Sequence, residues 1–422
     1  MDQGGVSVRV RLLLALLAAL SATPAAAETL DKLDLAIGKA LFKRPWVPAP
    51  ASTRGDDGLG PLFDARSCAT CHPADRRAPA RLENGTAERG FVLMIGRPDG
   101  TGDPVYGRRF QIDAVPGIPG EGMIGVTDTP LPDGRIARKP HPEALGYGPL
   151  DPASGLSLRV GPDLKGRGAL AAVPDAAILA VEREQAKGTD GVKGMARRVT
   201  LADGSTAIGR FGWKASQPDL ARQSAEAFFL DLGLSNRFHP EPWGDCTPTQ
   251  TACRQALHGN ANATSGDADD ELEIGSAVLD RVVAYVASLP QPEPEDLPKA
   301  EAKRGAALFT STGCAQCHRP SLPTAGGGAA RMYTDLLLHE MGPDLGDTMP
   351  EPGVGASQWR TAPLAGLSDA LAANTGLLHD GRARTVEEAI AWHGGEAATA
   401  QRRFGALPPK DRAALVRYVS SL

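Results

Sequence analysis

The chain has 422 residues and a formal charge of −5. That mildly acidic balance argues against nucleic acid or an anionic membrane surface as partner and suits a basic redox protein. With 49 glycines, 35 prolines and only 5% aromatic residues, much of the chain is expected to be loop, and a mature length of about 395 residues suggests two domains.

At the N-terminus Arg9 and Arg11 precede an apolar run, Leu12 to Leu20, and then the small residues Ala25-Ala26-Ala27 before Glu28. This is the pattern of a secretory signal peptide over residues 1–27, cleaved after Ala27, and it places the protein in the periplasm. The apolar core is too short to span a bilayer, so no membrane span is expected after cleavage. Cleavage removes Arg9, Arg11 and Asp2, which takes the charge from −5 to −6.

Four of the six cysteines fall in two identical frames, Cys68-Ala-Thr-Cys71-His72 and Cys314-Ala-Gln-Cys317-His318. This composition would give the pattern by chance roughly 0.002 times per chain. Two thiols three residues apart can both add to haem vinyl groups, and the following histidine is then held as the proximal iron ligand. A zinc site would want a second cysteine pair or a histidine pair, and a redox dithiol needs no following histidine. The expectation is two covalently bound haem c groups, with His72 and His318 on iron. The remaining cysteines, Cys246 and Cys253, are expected to form a disulfide in an oxidising compartment.

An internal repeat organises the chain. Gly38-Lys-Ala-Leu-Phe42 precedes the first haem motif and Gly305-Ala-Ala-Leu-Phe309 the second; Tyr285-Val-Ala-Ser-Leu289 and Tyr418-Val-Ser-Ser-Leu422 close the two halves. Each ending caps an amphipathic helix, Val278–Leu289 and Lys410–Leu422. The fold class expected is mainly α: two cytochrome c-like domains, the first enlarged by a loop-rich insertion with short β-hairpins. The boundaries are 28–290 and 301–422, joined by a Pro- and Glu-rich linker at 291–300. Within the insertion, residues 80–160 read as mostly irregular and residues 197–211 as a hairpin around Asp203-Gly204. A helix is expected over 218–231, with Ser216 or Asp219 near its cap.

Several blocks then carry a family resemblance: Gly58-Leu-Gly-Pro-Leu-Phe63, Arg210-Phe-Gly-Trp-Lys-Ala215, Tyr333-Thr-Asp-Leu-Leu-Leu-His-Glu-Met-Gly-Pro343, Trp359-Arg-Thr-Ala-Pro-Leu364, Leu378-His-Asp-Gly-Arg-Ala383 and Trp392-His-Gly-Gly-Glu-Ala397. Over most of residues 35–422 the chain resembles the di-haem oxidoreductase family, whose members often carry a thiol oxidoreductase label. More distantly it is similar to bacterial di-haem cytochrome c peroxidases and the MauG enzymes. The resemblance implies one haem that transfers electrons and one that meets peroxide. Where those relatives place the distal ligand of the C-terminal haem, this chain has His393, so His318 with His393 is the expected pair; a structural histidine at 393, with Met341 as ligand instead, is the competing reading. His339 and His379 are expected to hydrogen-bond around the haem edge.

For the N-terminal haem no removable distal histidine is evident after His72. Gln111 and Glu121 have the ten-residue spacing of a Gln and a Glu in the relatives' peroxide pocket, with Glu121 as acid/base and Gln111 orienting substrate. Closure by Met94, Met123 or His141 would make the site purely electron-transferring. Trp213 and Tyr106 are the candidate aromatic bridges between the haems, and Glu184–Gly194 has too few carboxylates for calcium. The function expected is peroxidase-like: electrons from a small cytochrome or cupredoxin enter at the C-terminal haem and reach hydrogen peroxide or a similar oxidant at the N-terminal one. The alternative is a non-catalytic di-haem electron carrier.

Overall fold

The computed structural model describes residues 32–52, 57–259 and 271–422; the expected signal peptide lies outside them. The expected helices form, with small shifts. Ser276–Ser288 and Pro409–Ser420 are the two closing helices, and Leu220–Leu232 starts at Asp219, whose carboxylate accepts from the Arg222 amide. An aspartate there satisfies one of the donors a helix start leaves free. The hairpin of Arg198–Thr200 with Thr206–Ile208 turns at Asp203-Gly204 as read.

The two halves of the repeat build the same helix crossing. Lys32–Lys43 packs against Ser276–Ser288, and Lys299–Thr312 against Pro409–Ser420. At each crossing the repeat's glycine lies under the repeat's tyrosine: a Cβ on Gly38 would overlap the Arg281 carbonyl beside Tyr285, and one on Gly305 would overlap the Cβ of Tyr418. Phe42 and Phe309 complete the contact, with ring centres 5.5 Å and 5.9 Å from Tyr285 and Tyr418. Glycine is there because the backbones approach too closely for any side chain.

The expected fold class is corrected. The structure is 33% helix and 18% strand, not mainly α, and residues 80–160 are not irregular. They hold a three-stranded sheet, Arg109–Phe110 beside Phe91–Gly96 beside Gly155–Val160. A four-stranded one ends in the long hairpin Met123–Pro130 and Ile136–Glu143. Pro140 and Pro142 lie in that hairpin's outer strand, an edge position where a missing N–H costs no ladder bond. One apolar cluster, of Phe309, Val386, Phe404, Leu415 and Val419, lies wholly in the second half. The largest apolar cluster joins Phe42, Phe228 and Val282 from the first half with Met332, Leu336 and Leu337 from the second. Residues 290–298 carry no regular structure, and the Glu295 amide donates to the Ser421 carbonyl. Cys246 and Cys253 are disulfide-bonded.

Alanine at Gly305 should improve helix propensity by up to about 1 kcal/mol, yet the overlap with Tyr418 should dominate. Gly305→Ala is expected to destabilise the protein by about 1–3 kcal/mol in urea unfolding; a stabilised variant would show the crossing to be looser than described.

Candidate haem sites

Both Cys-x-x-Cys-His segments fold as one tight turn. The His72 amide donates to the Cys68 carbonyl and the His318 amide to the Cys314 carbonyl, each at 2.9 Å. The turn at Cys314–Gln316 starts from Gly313, whose positive φ of 104° suits glycine. Burial pushes the thiols of Cys68 and Cys71 up to about 12 and that of Cys314 up to about 11. It pushes His72 and His318 down to about 4. The segments therefore present neutral thiols and neutral imidazoles, and a neutral imidazole is what an iron ligand must be.

Above the second motif lies a mostly apolar cavity of about 250 Å³, whose walls include Cys314, Cys317, His318, Met341, His379 and His393. His393 arrives from the helix Val386–Ala391, started by Thr385, whose hydroxyl accepts from the Glu388 amide. The His318 and His393 rings face each other with centres 6.4 Å apart. His318 Nδ1–H donates to the Tyr333 carbonyl at 3.1 Å, and His393 Nδ1–H to the Ala389 carbonyl at 2.8 Å. Each bond fixes a tautomer and leaves Nε2 as the free lone pair. Two metal–imidazole bonds of about 2.0–2.1 Å, plus roughly 1.1 Å from each nitrogen to its ring centre, put such centres about 6.3 Å apart. The pair is spaced for one metal ion between them. Met341 shares the wall and packs against Leu345, Trp359 and Trp392.

Sequence reading missed the cavity's charges. Arg77, Arg167 and Arg360 line it and are buried, and their hydrogen bonds go to backbone carbonyls. Arg77 donates to Leu378, Arg167 to Asp163 at 2.6 Å, and Arg360 to Gly212 at 2.9 Å and Thr361 at 3.1 Å. Among the described residues none of the three forms an ion pair. Burial lowers Arg77 to about 10; burial and then the neighbouring Arg167 lower Arg360 to about 9. Asp163, Asp335 and Asp380 act on these guanidinium groups only from beyond ion-pair distance, so the buried cations can still take an anionic ligand, and the two propionates of a haem would fit that role. Arg360 stands within a block singled out above, but nothing local marks it or Arg77 as a cavity cation.

Beside Cys317 the buried His339 is held from both sides. Its Nε2–H donates to Asp335 at 2.9 Å and its Nδ1–H to Glu396 at 2.8 Å, with the Cys317 sulfur 3.7 Å from Nδ1. Burial alone would lower His339, but the bond and charge of Asp335, then Cys317 and Glu396, hold it well above its ordinary value. Burial likewise opposes ionisation of Asp335, yet His339 keeps it below the usual carboxylate range. His379 instead stacks on Trp359, centres 3.8 Å apart, and meets Trp213 edge-on at 6.4 Å.

Trp213 donates its indole N–H to the Val160 carbonyl at 2.8 Å. The next residue, Gly161, lies against the first site: a Cβ there would be 3.1 Å from His72 Cε1. Trp213 thus joins the wall of the second cavity to the segment that supports His72. Tyr106 does not; its ring packs on Phe110 and Tyr147, and its hydroxyl donates to the Gly148 carbonyl.

Gln111 and Glu121 are brought together and almost fully buried. Glu121 accepts from the Gln111 amide and from the Gln250 side chain, both at 2.6 Å, and Gln111 donates to the Leu230 carbonyl at 2.8 Å. Burial raises Glu121 well above the ordinary carboxylate range. The neighbouring Asp64, raised to about 7 chiefly by burial, pairs with Arg109, which also binds Asp231. Asp64 and Asp231 act electrostatically on Cys71, and Asp64 on Glu121. Of the residues considered for closing this site, Met94 accepts from Arg109, His141 pairs with Glu143, and Met123 is exposed.

A family model described as "Di-haem oxidoreductase, putative peroxidase" matches residues 151–422, a span that contains the second Cys-x-x-Cys-His and not the first. A comparison with curated proteins gives no match. Among solved structures, the xenon-pressurised hydrazine synthase of Kuenenia stuttgartiensis is 14% identical; the match covers 61% of this chain and 86% of that one, with a TM-score of 0.26.

The clamped imidazolium gives a test by stability. Its contribution is complete below about pH 6.5 and is lost as pH rises through the raised value of folded His339. Asp335's contribution is present above its unfolded value and is lost as pH falls through its depressed folded one. His339→Gln should cost about 3–5 kcal/mol at neutral pH, and the difference should narrow as pH rises through the raised His339 value and, at the acid end, only once Asp335 takes up its proton. Urea unfolding across pH measures it; equal stabilities at pH 7 would refute the ion triad.

Proposed function

The chain belongs to the di-haem oxidoreductase family, and from that premise we propose that it is a periplasmic, peroxidase-like enzyme carrying two covalently attached c-type haems. The observation that carries the reading is the unequal surroundings of the two motifs. His318 faces a second imidazole at metal-bridging distance, whereas Cys71 of the first motif feels the buried Asp64 and Asp231, and Asp64 in turn acts on the buried Glu121. When bound, the haems supply one-electron transfer at the closed C-terminal site and peroxide reduction at the N-terminal one.

The chain's own residues would divide the work as follows. Cys68 and Cys71, and Cys314 and Cys317, hold the two groups by thioether bonds; His72, His318 and His393 ligate iron. Arg77, Arg167 and Arg360 neutralise propionates. Glu121, whose carboxyl burial holds well above the ordinary carboxylate range, would take the proton of incoming peroxide and return it to the leaving oxygen. Gln111, anchored on Leu230, orients the substrate. Trp213 and His379 lie between the two motifs and offer a path for the electron that a small cytochrome or cupredoxin delivers. The expected leader and the Cys246–Cys253 disulfide support an oxidising compartment, and no helix among the described residues is long and apolar enough to cross a membrane.

One observation favours the second reading, an electron carrier: both carboxylate oxygens of Glu121 are already engaged. Two experiments decide. Denatured, reduced protein should retain two haems by mass and pyridine haemochrome, and release of haem into acid–acetone would end the c-type assignment. Ferric protein should bind cyanide at one haem and consume peroxide, with Glu121→Gln at least tenfold slower and haem content unchanged. Wild-type protein that does neither would leave the electron carrier.

A further inference from the structure

The long hairpin of Met123–Pro130 and Ile136–Glu143 reaches from the first half of the chain onto the C-terminal haem site. Its loop, Leu131 to Arg135, is tight: the Leu131 amide donates to the Arg135 carbonyl, Gly134 takes a positive φ of 85°, and the Arg135 amide donates to Asp133. That geometry aims one side chain. The guanidinium carbon of Arg135 lies 4.5 Å from the ring centre of Trp392, and that of Arg382 lies 4.6 Å from it. Arg135 is held by Asp133 at 2.7 Å and by Asp344 at 3.0 Å. Arg382 is held by Asp380 at 2.8 Å. Leu131 and Ala137 pack into the same cluster as Trp392, and Arg138 donates to the Asp380 carbonyl at 3.0 Å.

Trp392 immediately precedes His393, and the short helix that leads into both has six residues, Val386–Ala391. So short a helix is marginal alone; what it packs against must hold its end in place. We propose that the hairpin is a clasp on the distal-ligand segment of the C-terminal haem, and that Arg135 is the positioning residue that keeps His393 on iron. The contact is a cation over a buried indole, favourable on a desolvated ring, and it joins residues 257 positions apart in sequence. Loosening it frees Trp392 to shift and lets His393 leave, opening a closed site to small ligands or to Met341 in the adjoining wall. Exchange of the distal ligand is thereby tied to the hairpin of the other half of the molecule. The inference rests on the His318–His393 pair proposed above.

The test uses the purified ferric di-haem protein, with cyanide as probe and the optical and EPR spectra of the C-terminal haem as readout. Arg135→Ala should raise the cyanide on-rate at that haem about tenfold, equivalent to about 1.4 kcal/mol, and should add a high-spin component. Arg135→Lys, which restores a cation over Trp392, should stay within about threefold of wild type. Should Arg135→Ala fail to accumulate, Asp133→Asn, which weakens one anchor of the same guanidinium, should give a smaller rise. Arg135→Ala with a lower melting temperature but wild-type cyanide kinetics would overturn the clasp, leaving the contact merely structural; so would a lysine variant as fast as the alanine one. A wild-type C-terminal haem that is not bis-histidine would instead defeat the ligation it rests on, a result read before any variant is made.

Discussion

Buried groups whose hydrogen-bond partners among the described residues are backbone carbonyls govern this structure. Two neutral imidazoles lie with ring centres 6.4 Å apart, each with Nδ1 spent on a carbonyl and Nε2 left without that bond. Three buried arginines line the same cavity with backbone oxygens as their hydrogen-bond acceptors among the described residues. Alone, either feature would cost folding free energy without return. An iron centre carrying two carboxylates would satisfy both, since the two imidazoles could hold the metal and the guanidinium groups could meet the negative charge. The His339 triad shows the contrast: there the buried cation has two carboxylates of its own and needs nothing added.

The surrounding architecture supports that cavity from both halves of the chain. Glycines at the two helix crossings let Lys32–Lys43 and Lys299–Thr312 sit close against the closing helices. Through a shared apolar cluster the first half braces Met332, Leu336 and Leu337, next to Tyr333, whose carbonyl orients His318. Trp359, stacked between His379 and the Lys214 ammonium at 4.6 Å, forms another wall. Lys214 is itself fully buried and paired with Asp347 at 3.1 Å, so the ring is packed by charges that compensate each other.

What the sequence revealed was local. The haem motifs, the repeat, the closing helices and the Asp203-Gly204 hairpin are set by spacing within a few residues, and all of those segments form. The β-structure of residues 80–160 was hidden because its strands break the usual signals: Met123–Pro130 is buried only at Ile124, Gly125 and Val126, and its partner strand carries two prolines. The charge constellations were hidden for another reason. Arg77, Arg167 and Arg360 come from three distant segments, and no local pattern says that they share a cavity. Gln111 and Glu121 were chosen by spacing and do meet; that both oxygens of Glu121 are already bonded depends on Gln250, 129 residues away.

The account turns on whether His318 and His393 ligate the same iron. Near-infrared magnetic circular dichroism of the ferric protein reads the axial pair directly, because the charge-transfer band of a low-spin haem moves with the identity of its two ligands. The account predicts a bis-imidazole band for one haem that disappears in His393→Ala. A histidine–methionine band in the wild type, unchanged by that substitution and abolished by Met341→Ala, would contradict it.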